Sequence, residues 1–289
     1  MKSSKLLWQS KLVQLLVFPA VAGAVALEVP IAAAAHPVST AGALAACALL
    51  GLAVYKLRAA TAWGAASGAV LAAGLLFGSV EDPARFSRSA LIPLILLILL
   101  TGVATRLGAR RKLAPGSLAE ENARNAAQVG ANLGVAALAA SPILQLWALG
   151  IEMAGSKAIL LPLVVLLAAL GEATADTLAS ELGQLARLPP RMITNWRRVE
   201  AGTDGAVSLP GSLCGLLGAA LVVGSGCWSM GCGWPVGAVA LAGALAGLFA
   251  DSLIGATMER WGWLNNEAVN FLSTVVAGGV AAGGMLALR

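Results

Sequence analysis

The stretch "ILLPLVVLLAALGEATADTLASELGQL" (159–185) is the one from which the fold can be inferred. An apolar run, Ile159–Leu170, is followed at once by three carboxylates, Glu172, Asp176 and Glu181. The apolar run is typical of a membrane helix, whereas carboxylates near hydrocarbon are costly and usually mark a functional site. The stretch therefore predicts a membrane helix whose end carries an acidic site.

The composition predicts an all-α polytopic membrane protein. Of the 289 residues, 58% are hydrophobic and only 11% are charged, and the mean hydropathy is +0.84. Soluble domains carry about 25% charged residues. A soluble α/β protein is thereby disfavoured, and the net charge of +5 does not indicate a nucleic-acid partner, because loop lysines and arginines in membrane proteins set orientation.

Apolar runs of spanning length predict about nine transmembrane helices. Their predicted ranges are 12–34, 39–55, 61–79, 89–105, 127–149, 157–172, 206–226, 235–255 and 268–288. A cytoplasmic N-terminus and an outside C-terminus place 15 of the 19 lysines and arginines in the cytoplasm, as the positive-inside rule prefers. Ten of the 14 acids fall on that side too. We expect an integral protein of a prokaryotic plasma membrane with its active face in the cytoplasm.

Some features leave alternatives open. Residues 1–37 have a basic start and an apolar core, and an uncleaved first helix is favoured over a signal peptide. Cys227 and Cys232 flank a short loop and either pair or stay free. The single histidine, His36, falls on the outer side and is given no catalytic role.

The first polar segment, "EENARNAAQVGANLG" (120–134), runs into an apolar helix. Asn125, Gln128 and Asn132 are spaced i, i+3 and i+7, which places them on one helical face beside the cation Arg124. Amides that enter hydrocarbon need partners. They either bind a ligand or hydrogen-bond a neighbouring helix.

The second segment is the acidic stretch itself. Glu172 and Asp176 are neighbours at i and i+4, and Glu181 lies further round the helix. Neighbouring carboxylates repel unless a cation lies between them, and Mg²⁺ is typically held by one or two carboxylates plus substrate phosphates. The alternative is a solvated helix end whose acids pair with Arg187 or Arg191.

The third segment, "EAGTDGAVSLPGSLCGLLGA" (200–219), is rich in glycine where a helix begins. Backbone N–H groups at such turns bind anions, so Gly202 and Gly205 predict a phosphate-binding turn beside Asp204 and Ser208. The simpler alternative is a helix cap.

A fourth polar group joins these segments. Asp251 and Ser252 end a span in which Gly243 and Gly247 predict close helix packing. Asn270 lies in the first turns of the last span.

Together these segments resemble the integral-membrane domain-of-unknown-function family ninety-two, which includes plant phytyl-phosphate kinase and transmembrane protein 19. The resemblance covers roughly residues 58–289. It is carried, in family order, by "TRLGARRK" (105–112), "RNAAQVGANLG" (124–134), "GEATADTLASELG" (171–183), "GTDGAVSLPGSLCGLLGA" (202–219), "GLFADSLIGATME" (247–259) and "NNEAVNFLST" (265–274). The "GATME" segment departs from the family's usual glutamine, and residues 1–57 carry no resemblance.

The resemblance implies a kinase that transfers a phosphoryl group from a nucleoside triphosphate, with CTP favoured, to an isoprenoid monophosphate. The residues agree with this chemistry, because phosphoryl transfer needs mainly positioning and charge neutralisation. We expect catalytic roles for Glu172, Asp176, Asp204 and Arg124, and Mg²⁺ ligands at Glu172, Asp176, Asp204 and Asp251. The expected substrate and nucleotide contacts are Asn125, Gln128, Asn132, Thr174, Glu181, Gly202, Gly205, Ser208, Ser252, Asn270 and Lys112.

Two alternatives use the same residues. A transporter or lipid flippase would use the polar cluster as a substrate pathway. A membrane scaffold without activity would tolerate the loss of Asp176 and Asp204.

Overall fold

The computed structural model describes residues 6–112, 123–153, 160–185 and 188–288, without the side chains of 109–112 and 151–153. Its ten α-helices are α1 (Leu7–Ala35), α2 (Pro37–Lys56), α3 (Ala62–Phe77), α4 (Leu91–Lys112), α5 (Ala126–Ala140), α6 (Pro142–Met153), α7 (Leu161–Gly183), α8 (Leu209–Met230), α9 (Trp234–Ile254) and α10 (Asn266–Ala287). A 3₁₀ turn (Pro83–Arg88) precedes α4, and a π-turn (Gly255–Glu259) continues α9. Strands β1 (Arg191–Met192) and β2 (Ala206–Val207) pair antiparallel between α7 and α8.

Helix α7 lies at the centre of the bundle, where α4, α5, α8, α9 and α10 pack around it. Small residues allow this close packing. An added Cβ at Gly171 would come within 3.0 Å of both Ala244 on α9 and Val223 on α8. The acidic stretch therefore belongs to the most enclosed helix of the fold.

The helical, polytopic architecture agrees with the sequence prediction, but the predicted number of nine spans is not confirmed. Among the described residues, seven helices are long and apolar enough to cross a membrane. An eighth span results if α5 and α6 count as one, since they are bent by 48° at Ser141, between Ala140 and Pro142. Helix α3 is apolar but shorter. The orientation of the chain across the membrane stays a prediction.

The predicted end of the central span needs correction. The sequence placed the end of that span at residue 172, with Asp176 and Glu181 beyond it, but α7 continues to Gly183. Glu172 is 1% exposed and Asp176 lies a turn further on, still inside the helix. Because α8, α9 and α10 surround α7, these carboxylates are enclosed by other helices.

Exposed tryptophans lie near the helix ends at both ends of the bundle. Trp63 follows the start of α3, and Trp261 and Trp263 follow the π-turn, with their rings edge to face. At the opposite end, Trp228 and Trp234 flank the loop between α8 and α9. Tryptophans are enriched at membrane interfaces, which supports a bundle that spans the bilayer.

The four polar segments all lie together at one end of the bundle. The start of α1 helps to build this end, because the backbone N–H of Asn265 donates to Gln9 Oε1 at 2.9 Å and the Asn265 side chain donates to Ser10 Oγ at 2.8 Å. Asn265 in turn caps α10. At the opposite end Cys227 and Cys232 are free thiols, and the Cys232 N–H donates to the Cys227 carbonyl at 3.0 Å.

Candidate functional site

A polar cavity of about 350 Å³ opens among the helix ends, at the end of the bundle where the polar segments lie. It is lined by the last turns of α7 and of α9, by the loop before α8, and by the first turns of α5, α8 and α10. Twelve of the predicted site residues line it: Arg124, Gln128, Asn132, Asp176, Glu181, Gly202, Asp204, Gly205, Ser208, Asp251, Ser252 and Asn270. Side chains from four separate sequence segments therefore meet in one place.

Arg124 is held in the cavity wall by its backbone and by its side chain. Its N–H donates to the Ala59 carbonyl, and its carbonyl accepts from the Thr61 N–H, each at 3.0 Å. Gly64 on α3 leaves room for this backbone, because a Cβ there would collide with the Arg124 carbonyl. The guanidinium donates to Thr177 Oγ1 on α7 at 3.2 Å.

The electrostatic surroundings of Arg124 follow from this position. Burial lowers the pKa of the guanidinium from its ordinary value, and the carboxylates of Asp176 and Glu181 oppose that lowering. Arginine remains charged in proteins, so the cavity wall carries a fixed cation beside two acids.

The glycine-rich loop adopts backbone conformations that other residues rarely take. Gly202 has φ +88° and Gly205 has φ +75°. Gly205 also lies directly against Ala256 of the π-turn, so that an added Cβ would collide with it. Glycine at these positions therefore allows the loop to close one side of the cavity.

Three helices begin at the cavity, since residues of the first two turns of α5, α8 and α10 line it. Ser208 caps α8 by accepting from the Gly211 N–H at 3.1 Å, Asn265 caps α10 by accepting from the Ala268 N–H at 2.9 Å, and Asn125 caps α5. The positive end of the helix dipole attracts anions at such ends. Three of them around one cavity favour a ligand with several phosphate oxygens.

Carboxylates lie at the ends of α7 and α9. Glu172 is buried between these helices, with Gly247 so close that an added Cβ would lie 2.6 Å from the Glu172 Cγ. Glu172 Oε1 and Asp251 Oδ2 are buried without hydrogen-bond partners in the described structure. Asp251 interacts electrostatically with Asp176 and with Asp204.

The cavity is strongly acidic. Its described lining holds five carboxylates, Asp176, Glu181, Asp204, Asp251 and Glu259, and one basic side chain, Arg124. Such an excess of like charge favours a bound cation. Among the described residues, however, no three acids, cysteines or histidines are grouped closely enough to hold a metal ion by themselves. The arrangement suits a hard cation that keeps part of its coordination for waters or phosphates.

Three predicted contacts are placed elsewhere. Thr174 is fully buried and its hydroxyl donates to the Leu170 carbonyl at 2.8 Å, so it serves the helix and not the cavity. Asn125 precedes α5 and forms a capping box with Gln128, so the predicted shared face of Asn125, Gln128 and Asn132 is not a single ligand-binding row. Glu172 lies beneath the cavity without lining it. The side chain of Lys112 is outside the described part of the structure.

Several lining residues were missed by the sequence prediction. They are Thr177, Ser180, Gln184, Thr203, Ser212, Glu259 and Asn266. Glu259 follows Asp251 by eight positions, a spacing that keeps helical residues on one face, and this signal could have identified it. The others are small polar residues, which single sequences do not distinguish from ordinary helix ends.

Comparisons with known proteins identify the family. The family model described as "Integral membrane protein DUF92" matches residues 45–278. The chain is 44% identical over 122 residues to the uncharacterized membrane protein MJ0933 of Methanocaldococcus jannaschii, covering 40% of this chain and 48% of that protein. It is 36% identical over 117 residues to the uncharacterized membrane protein sll0875 of Synechocystis, covering 37% and 42%.

A plant protein is also similar. The protein "VTE6, chloroplastic" of Arabidopsis thaliana is 34% identical over 101 residues, which is 34% of this chain and 30% of the plant protein. The matched regions thus span less than half the length of each of these relatives. No solved structure matches the chain. Since the family model covers most of the chain, this integral membrane protein belongs to the DUF92 family.

Proposed function

We propose that the protein is a prenyl-phosphate kinase, which transfers the terminal phosphoryl group of a nucleoside triphosphate to an isoprenoid monophosphate. One observation carries the proposal: a single cavity combines three helix N-termini with a wall of carboxylates. Phosphate oxygens suit the first and a divalent cation suits the second. The family resemblance supplies the isoprenoid acceptor, which the cavity chemistry alone does not specify.

The donor phosphates fit the glycine-rich side of the cavity. The turn at Gly202 and Gly205 offers backbone N–H groups there, and the N-terminus of α8 adds the positive end of its helix dipole. The first turn of α10 adds the side chains of Asn266 and Asn270. These donors would orient the triphosphate, and CTP is the nucleotide that we favour.

The acceptor phosphate fits beside Arg124, the one basic side chain in the described lining of the cavity. The guanidinium would neutralise the acceptor and orient one of its oxygens toward the γ-phosphorus. That oxygen forms the new P–O bond while the bond from the γ-phosphorus to the β,γ-bridging oxygen breaks. The electron pair leaves with the nucleoside diphosphate, and the product is an isoprenoid diphosphate. Positioning and charge neutralisation are the main catalytic requirements of such a transfer.

Mg²⁺ is the metal that we propose for this site, with Asp176 and Asp251 as the central ligands and Asp204 beside them. The unpartnered, buried Oδ2 of Asp251 is a ready ligand atom. When bound, Mg²⁺ would neutralise charge on the phosphates. Glu172, buried beneath Asp251, would hold the neighbouring helices in place.

The direct test is a transfer assay with the purified full chain. The protein in detergent is incubated with Mg²⁺, γ-labelled CTP or ATP, and isoprenoid monophosphates of one to four isoprene units. We expect label in an isoprenoid diphosphate. Absence of label with every donor and acceptor, together with isoprenoid flux across reconstituted vesicles, would overturn the kinase proposal and favour a transporter or flippase.

A further inference from the structure

A second cavity, of about 310 Å³, lies next to the polar one and differs from it in chemistry. It is enclosed by α2, α3, α4 and α5, and most of its lining residues are aliphatic or glycine. Leu50 and Val54 line it from α2, and Leu94 and Leu97 line it from α4. Its size is at the lower end of the range of about 300 to 1,000 Å³ that is typical of small-molecule sites.

The two cavities share part of their walls. Arg124 and Asn132 line both of them. Asn132 is further fixed by Asn270 of α10, whose side-chain N–H donates to Asn132 Oδ1 at 3.1 Å. A molecule that passes this boundary would have its hydrocarbon among aliphatic side chains and its polar end beside a guanidinium.

The helix arrangement leaves a gap beside the apolar cavity. Helix α2 packs on α3 and on α1, whereas α4 packs mainly on α7 and α8. Helices α2 and α4 do not pack closely on each other, and the cavity occupies the gap between them. An apolar cavity is a poor site for water. A lipid-soluble chain is the suitable occupant.

We propose that this apolar cavity binds the hydrocarbon chain of the isoprenoid acceptor, while Arg124 at the shared wall holds its phosphate. The inference rests on the proposed kinase function and adds the place where the acceptor chain binds. Gly68 on α3 and Gly102 on α4 line the cavity and leave room for the chain. The cavity volume then limits the length of acceptor that is used efficiently.

The structure offers variants that fill the cavity without a backbone clash. An added Cβ at Gly102 meets nothing within 4 Å, and at Gly68 it meets only Val129 Cγ1 at 3.8 Å. Gly224 on α8 is the matched control, since its Cβ also meets nothing within 4 Å but it is exposed and lies outside the cavity. All three variants make the same chemical change. Gly102→Leu and Gly68→Leu make it inside the apolar cavity, and Gly224→Leu makes it outside.

The first measurement is acceptor selectivity. For Gly102→Leu we expect kcat/KM with the four-unit monophosphate to fall about 10-fold or more relative to the one-unit monophosphate, because small changes in an apolar pocket have effects of this size. Gly68→Leu should shift selectivity in the same direction, and Gly224→Leu should not. An active wild type with unchanged selectivity in both cavity variants would overturn this inference and leave the kinase proposal standing.

The second measurement does not depend on activity. A four-unit isoprenoid monophosphate with a diazirine at its far end is photolysed with the protein, and the adducts are mapped by mass spectrometry. We expect adducts on 50–57 and 94–105 that are lost in Gly102→Leu and kept in Gly224→Leu. Adducts elsewhere would overturn the inference, even if the wild type transfers no phosphate and the kinase proposal itself has failed.

Discussion

The polar and apolar cavities have nearly the same size but opposite linings. The polar cavity of about 350 Å³ lies among helix ends, and five carboxylates and Arg124 line it. The apolar cavity of about 310 Å³ lies between helix sides lined mainly by aliphatic residues and glycine, with Arg58, Arg106 and Arg124 among its few polar side chains. Helix ends expose backbone groups and tolerate charge, whereas helix sides in a membrane present aliphatic chains.

This difference explains how one membrane domain could bind both the polar and the apolar part of an amphiphilic substrate. The reacting phosphates would stay among dipoles and charges, and the hydrocarbon would stay among helices. Arg124 and Asn132 form the boundary, so substitutions on either side of it should separate chemistry from chain recognition.

The largest effect is expected for substitution of Arg124, which lies at the boundary between the two cavities. Because Arg124 is proposed both to neutralise the acceptor phosphate and to orient its attacking oxygen, Arg124→Gln should lower kcat/KM by about 10³-fold. The loss should be equal for one-unit and four-unit acceptors, since Arg124 is proposed to bind phosphate. Arg88→Gln, an exposed change outside both cavities, is the control. A loss confined to long acceptors would indicate that Arg124 contacts the hydrocarbon chain. It would contradict the proposed separation of phosphate binding from chain binding.

A smaller loss is expected inside the polar cavity. Asp176→Asn should lower transfer by about 100-fold, which is typical of removing one electrostatic contact at a reacting centre. Photolabelling by the diazirine isoprenoid should be unchanged, because the apolar cavity is intact. Glu200→Gln changes an exposed acid in the same loop region and should retain activity. Full activity in Asp176→Asn would overturn the proposed role of Asp176 in transfer.

The glycine-rich loop offers a matched pair of substitutions. Gly205 and Gly262 have nearly equal φ, +75° and +76°, but only Gly205 lies against another element. Gly262→Ala should cost about 1 kcal/mol from the left-handed backbone alone. Gly205→Ala should cost about 1–3 kcal/mol more from overpacking, and should lower activity by moving the loop. Thermal unfolding and kcat/KM measure the two effects, and equal losses would exclude a role for the Ala256 contact.

The smallest effect is expected at Asn125. Removing its cap in Asn125→Ala should lower the free energy of unfolding by about 1 kcal/mol and leave kcat/KM unchanged. Asn125→Asp keeps an oxygen acceptor and should retain most of the stability. A selective loss of activity in both variants would indicate that Asn125 binds substrate and does not act only as the cap of α5.

The sequence predicted much of the site because its signals are local. Carboxylates and amides are rare in such a chain, so Asp176, Asp204, Asp251 and Asn270 were recognisable as exceptions. Glycines beside an acid and a serine similarly predicted the loop at Gly202 and Gly205. Thr174 was predicted as a contact but lies outside the cavity lining, because its hydroxyl donates to the backbone of its own helix, which sequence spacing does not reveal.

The sequence by itself determined that this chain is a helical membrane protein with an unusual set of polar residues, because apolar length and rare charges are properties of the chain alone. Only the tertiary structure decided that Glu172 is buried beneath the cavity, that Arg124 contacts Thr177, and that an apolar cavity adjoins the acidic one. These facts depend on which helices become neighbours. That choice is made by packing at positions such as Gly64 and Gly247, where a single added carbon would separate the helices.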